Sequence, residues 1–181
     1  MIETSLNKAN LLVPVPILLT TVDSFGKPNI ASVSYYTCIH FEPPTVAISL
    51  DPNHKTSSNL IETSKFVINV PPKNQQMADL VIQVSGLSGA EIDKFDRFDI
   101  DVEIEPNWPP YLKNALLCLF GAIKEKISYS DGRILFLGAI EKVLMAETLD
   151  VKEEKPEFIW NLFERNCLTH SEVYISKEGA T

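Results

Sequence analysis

The chain has 181 residues, 45% of them apolar and 22% charged, and 16 Lys plus Arg against 24 Asp plus Glu leave a net charge of −8. That length suits a single domain over residues 1–181, with its core at about 13–148, and leaves little room for two. The acidic balance and the lack of a basic run argue against a nucleic-acid partner, and no apolar run approaches the roughly 20 residues of a membrane helix.

The first apolar stretch, "NLLVPVPILLTT", is interrupted by Pro14 and Pro16 and preceded by Glu3, so it reads as chain entering a sheet and not as a signal peptide. A strand follows at 17–22, "ILLTTV", then a hairpin turn marked by Asp23, Gly26 and Pro28. "IASVSYYTCI" at 30–39 is a second strand, "FEPP" a reversal, "TVAISL" at 45–50 a third strand and "KFVINV" at 65–70 a fourth. In "KNQQMADLVIQV", residues 73–84, Met77, Leu80, Val81 and Val84 recur at helical spacing and predict a short amphipathic helix. "SGLSGAEIDKFDRF" reads as a loop with two glycines, and "DIDVEIE" at 99–105 alternates as a half-buried strand does. Two long β-prone runs, 115–129 and 134–147, flank "SDGR", whose Asp131-Gly132 pair signals a tight hairpin. A helix over 113–126 is the competing reading of the first run. About seven strands, one or two short helices and no βαβ alternation predict a mainly β fold, a small barrel.

Familiar catalytic patterns are missing. No G-x-S-x-G elbow, GxGxxG or P-loop occurs, and His40, His54 and His170 stand singly, so neither a catalytic triad nor a metal site is predicted. Cys38, Cys118 and Cys167 lack metal or disulfide spacing and read as buried thiols in a reducing cytoplasm, where a soluble protein of this kind is expected.

One segment does carry chemistry. In "SLDPNHKTSSN" a strand ends at Leu50, Asp51-Pro52-Asn53 turns the chain, and Lys55, Thr56, Ser57 and Ser58 crowd the start of the next helix. A helix start leaves backbone N–H groups unpaired and carries partial positive charge, so with a Lys and several hydroxyls it suits a phosphate-sized anion. The alternative is a plain helix cap, with Asn59 and Glu62 as a capping-box-like pair. In "NIASVSYYT", Ser32, Ser34 and Tyr36 would share one strand face and Ala31, Val33 and Tyr35 the other, either a surface suited to a flat heteroaromatic ligand or the exposed face of an ordinary strand.

The series "TTVDSFGKPN", "FEPPTVAIS", "KTSSNLIETSKFVINVP" and "DKF" resembles the flavin reductase-like family of FMN-binding split barrels. The resemblance implies a Greek-key split β-barrel with one or two short flanking helices. It implies a homodimer that holds FMN near its interface and takes hydride from NADH or NADPH, passing electrons to a small-molecule acceptor or partner oxygenase. By position, Asn29, Ala31, Ser32, Val33, Ser34, Tyr35 and Tyr36 would meet the flavin ring, and Ser49, Leu50 and Asp51 would lie near the ring and ribityl chain. His54, Lys55, Thr56 and Asn59 would hold the ribityl phosphate, and Lys94 the phosphate or nicotinamide side. No side chain is needed as a general acid or base, because the hydride acceptor belongs to the cofactor. FMN storage or electron transfer without efficient NAD(P)H turnover, and a relationship to pyridoxamine-phosphate oxidases, are the alternatives. The chain departs from the family pattern at Val33, where many relatives have Pro, at Arg133-Ile134, where a His is common, and over its ending, 156–181.

Overall fold

The structure is a computed structural model; it describes residues 16–72 and 74–147, and the backbone of 160–162, 166–169 and 172–175. The expectations for 10–15 and for burial of Cys167 lie outside the described residues. In chain order the elements are β1 (Ile17–Val22), β2 (Pro28–Val33), β3 (Tyr36–Phe41), β4 (Pro44–Leu50), α1 (Lys55–Thr63), β5 (Lys65–Val70), α2 (Gln75–Ser85) and α3 (Lys94–Arg97). There follow β6 (Val102–Glu103), β7 (Tyr111–Leu112), β8 (Leu117–Ser130) and β9 (Arg133–Met145). Then β10 (Trp160–Leu162), β11 (Asn166–Thr169) and β12 (Glu172–Ile175) form a small antiparallel sheet of their own.

The main sheet has seven antiparallel strands in the order β2-β1-β5-β8-β9-β4-β3. Its first and last strands, β2 and β3, are consecutive in the chain and separated only by Ser34 and Tyr35. Such a link spans at most about 11 Å, so the two edges must come together and the sheet must curl. Val33 of β2 and Val46, Ile48 and Leu50 of β4 accordingly share one core, and Ser49 N–H donates to the Tyr35 carbonyl at 2.8 Å. The result is the split barrel, mainly β, that the sequence predicts.

Both faces of the sheet are covered, which is why β1 is buried without alternation from Ile17 to Thr21. Ile17 and Leu19 point inward with Phe66, Ile68 and Phe136, and Leu60 of α1 joins that interior. Leu18, Val67 and Phe120 point outward beneath Met77, Ala78, Leu80, Val81 and Val84 of α2. Phe66 fills the interior where two glycines make room: a Cβ on Gly121 would meet its ring at 2.3 Å and one on Gly138 at 2.6 Å.

A polar knot ties the 107–115 segment to the outer face. Buried Asn69 donates to the carbonyls of Leu18 and Val67 and accepts from Leu112 N–H at 2.8 Å, while Thr20 Oγ1 donates to the Pro110 carbonyl at 2.6 Å.

Most predicted elements are present, including the Asp131-Gly132 hairpin and a strand, not a helix, over 117–130. The helix predicted at 73–84 runs Gln75–Ser85 and is capped by Asn74, whose side chain accepts from Met77 N–H at 2.8 Å. Three expectations are corrected. The 30–39 run is two strands, broken where the chain crosses between the sheet's edges, so Val33 and Tyr36 both pack toward the interior and the predicted face assignment ends at Val33. The 99–105 strand shrinks to Val102–Glu103, paired with Tyr111 and Leu112, because Pro106, Asn107 at φ 68°, Pro109 and Pro110 stop the ladder. Cys38 is exposed on β3, an edge strand, whereas Cys118 is buried as expected.

Candidate functional site

The turn before α1 is stitched by Asp51, whose Oδ1 accepts from the backbone N–H of Asn53 at 2.8 Å and from its side-chain amide at 3.1 Å. Those bonds, the Asn53 N–H first, hold the Asp51 carboxyl below its usual range, with His54 and Arg133 adding positive charge nearby. Ser57 Oγ donates to the Asp51 carbonyl at 2.6 Å, and Ser58 Oγ bonds back to the His54 and Lys55 carbonyls. Both hydroxyls are therefore spent on the helix itself and do not serve as free donors for a ligand.

Helix α1 starts at Lys55, with His54 as its N-cap residue, and the His54 side chain makes no capping bond. The capping-box alternative fails, because Asn59 lies in the second turn, its Nδ2 donating to Thr21 Oγ1, and Glu62 accepts from Ser24 N–H. An uncapped helix start retains orphan N–H donors.

Against this helix start lies a cleft of about 270 Å³. One side is β2, with Asn29, Ala31 and Ser32; another is His54, Lys55 and Thr56; the third is the end of α2 and the loop after it, Val84 to Gly89, with Lys94. Asn29 Nδ2 donates to Thr56 Oγ1 at 3.0 Å, which leaves the Thr56 hydroxyl proton for another acceptor. The loop packs on Asn29 so closely that a Cβ on Gly89 would lie 1.8 Å from Asn29 Oδ1.

Two ammonium groups line the cleft. Lys55 Nζ pairs with Asp23 Oδ2 at 3.1 Å. Lys94 is only 5% exposed and donates to the Ile30 and Val84 carbonyls, both at 3.0 Å. Burial brings its pKa down from 10.5 to about 8. An ammonium has three donors, and these two bonds leave one.

Seven of the predicted site residues thus come together: Asn29, Ala31, Ser32, His54, Lys55, Thr56 and Lys94. Val33 and Leu50 bury their side chains in the barrel interior, and Asn59 is fully buried against β1, so none of the three side chains lines the cleft. Ser34, Tyr35, Tyr36, Ser49 and Asp51 also lie outside the cleft. Of these, Tyr35 has the Arg133 guanidinium 5.0 Å from its ring centre, and burial raises the Tyr36 phenol above its usual pKa. The wall missed by sequence reasoning is Val84–Gly89. Its only signal was the "SGLSG" composition, which matches no motif.

The cleft's size sits below the roughly 300–1,000 Å³ common for whole small-molecule sites. It is large enough for a phosphoryl group and part of its chain, with any attached ring lying outside. The donors fit that assignment: a hydroxyl, orphan helix N–H groups and two ammonium groups converge with no carboxylate in the lining. No cluster that could hold a metal ion occurs among the described residues, and none of their helices is long and apolar enough to cross a membrane.

Fold and cleft together define a split β-barrel with a cleft lined by two lysines beside the start of α1. Within that class the chain belongs to the flavin reductase like domain family, whose model matches residues 11–160. It is 25% identical over 156 residues to an uncharacterized protein of Aquifex aeolicus, a match covering 80% of this chain and 79% of that one. It is similar in fold to the FMN-binding protein of Thermus thermophilus with bound 1-cyclohex-2-enone, at TM-score 0.80 and 20% identity, covering 93% of each chain. The flavoredoxin of Desulfovibrio vulgaris (Miyazaki F) matches at TM-score 0.79 and 20% identity over 99% of each chain.

Proposed function

We propose that the chain binds FMN with its phosphate in the cleft and acts as an oxidoreductase that takes hydride from NADH or NADPH and passes electrons to a small acceptor or partner oxygenase. The observation that carries this reading is the convergence of Thr56, Lys55, Lys94 and the uncapped α1 start on one cleft, in a member of the flavin reductase like family. The FMN-binding protein of Thermus thermophilus, which shares the fold, supports the choice of ligand.

In this reading FMN, when bound, supplies the hydride acceptor, and the protein supplies position and electrostatics. The Thr56 hydroxyl, oriented by the Asn29 amide, and the backbone N–H groups of Lys55 and Thr56 would hold the phosphate, the Ser57 and Ser58 N–H groups being bonded to the His54 carbonyl. Lys94, fixed by two carbonyls, would have one N–H left to donate to the anion. Tyr35, Tyr36, Ser49 and Asp51 would flank the ring, with the Arg133 guanidinium over Tyr35 at that end. Exposed Tyr35, Ile39 and Phe41 give the β3 edge an apolar surface, which a second copy of the chain would cover in a homodimer working in the cytoplasm.

The visible spectrum after FMN addition, followed by anaerobic NADH or NADPH, tests the reading. A yellow protein that bleaches with either nucleotide is expected, whereas a protein that takes up no FMN refutes it. Lys55→Ala with Thr56→Ala should weaken FMN binding by about 2 kcal/mol, for two charge-assisted bonds. The likeness to flavoredoxin supports a second reading, FMN-based electron transfer without efficient NAD(P)H use; FMN uptake without bleaching would select it.

A further inference from the structure

Asp23 sits in the β1–β2 turn, outside the cleft, yet it reaches the cleft through Lys55. Its Oδ1 accepts from Phe25 N–H at 3.0 Å and Lys27 N–H at 2.9 Å, while its Oδ2 takes the Lys55 ammonium at 3.1 Å. The carboxylate is therefore fixed by its own turn, and only the lysine of the pair is free to swing. Both side chains are largely sheltered, Asp23 at 10% exposure and Lys55 at 25%, so the pair is less screened than a surface ion pair.

The consequence is a charge deficit at the cleft. Lys55 and Lys94 bring two positive charges, Asp23 cancels one, and Lys94 already serves two carbonyls. A phosphate monoester at neutral pH carries about −1.5 to −2. It would share Lys55 with a carboxylate that cannot move away, and that carboxylate repels it.

We propose that Asp23 sets how strongly this cleft prefers a phosphorylated ligand over its unphosphorylated form, by holding Lys55 in an ion pair that the incoming phosphate must share. The inference rests on the reading of the cleft as the phosphate end of a flavin site. It makes Asp23 a residue acting through Lys55, with no contact to the ligand. Replacing it with Asn keeps the Oδ1 acceptor for both turn N–H groups and removes the charge, so the turn survives while Lys55 is released toward the cleft.

The test is titration of wild type and Asp23→Asn with FMN and with riboflavin, followed by flavin fluorescence at low and high salt. The ratio of riboflavin Kd to FMN Kd should rise about tenfold in the variant. The rise should come through tighter FMN with riboflavin unchanged, and should shrink in about 1 M salt, where the screening length falls to about 3 Å. A general loosening of the turn would move both flavins alike and would overturn the proposal. So would an unchanged ratio, or a fall in the ratio, which would make Asp23 a support for Lys55 as a phosphate donor. Should Asn disturb folding, as a thermal melt would reveal, Asp23→Ser keeps a short oxygen acceptor for the turn and carries the same expectation. A wild type that favours FMN over riboflavin and ignores both substitutions refutes Asp23's role alone; one that binds neither flavin refutes the site and this inference together.

Discussion

Substituting Gly89 by Ala should damage the cleft through one contact. The new methyl would lie 1.8 Å from Asn29 Oδ1 and 2.8 Å from Asn29 Cγ, so either the Asn29 side chain leaves or the loop withdraws. Asn29 is 5% exposed and donates to Thr56 at 3.0 Å; moving it breaks a buried hydrogen bond and strands a polar group. Such a loss costs about 1–3 kcal/mol, which for a chain of this size lowers the melting temperature by about 2–4 °C per kcal/mol. FMN affinity should fall with it, because Thr56 loses its orienting partner. A double-mutant cycle makes the cause explicit: in an Asn29→Ala background the methyl has room, and Gly89→Ala should then cost little. Denaturant unfolding of the four proteins measures the coupling. Equal costs of Gly89→Ala in both backgrounds would refute the steric account.

Lys94 should leave a signature in alkaline stability. It titrates near pH 8 when folded against an ordinary 10.5, so between these values the unfolded chain binds more protons and stability rises with pH. Relative to Lys94→Met, wild type should gain roughly 3 kcal/mol across that window; a flat difference in denaturant midpoints would contradict the burial of the ammonium. Gly138→Ala brings a methyl within 2.6 Å of the Phe66 ring and should cost about 1–3 kcal/mol, largely recovered when Phe66 becomes Leu, as thermal melts would register. Exposed Cys38 should alkylate readily at neutral pH, whereas Cys118, pushed up to about 12 by burial, should react only on unfolding. Peptide mapping that finds native Cys118 modified would count against its place under α2.

What was legible in the chain depended on how local its cause is. The Asp131-Gly132 turn, the spacing of Met77, Leu80, Val81 and Val84, and the helix start at Lys55 and Thr56 are each decided within a few residues, and each is found where expected. The break at Ser34–Tyr35 is different, because the apolar pattern of 30–39 suits one strand as well as two. Only closure of the sheet, which brings distant edges together, requires the break. Gly89 is likewise unreadable alone, since its reason is Asn29, sixty residues earlier. Ser57 and Ser58 looked equal to Thr56 as donors, and the turn at Asp51 decided otherwise. Asn69 did offer a clue: an amide inside "KFVINV" is out of place in a buried strand unless it is fully bonded, as it is here.

The barrel's seam leaves β2 as an outer strand, and outer strands invite a neighbour's chain to add to the sheet. Lys94 answers that hazard as well, since its ammonium occupies the Ile30 carbonyl of β2 and plants a charge there. On the proposed reading, protection of that strand and phosphate binding thus rest on one side chain. Neutral replacements of Lys94 that spare the fold would be expected to foster self-association along β2 at high protein concentration, a liability that selection on binding alone would not reveal.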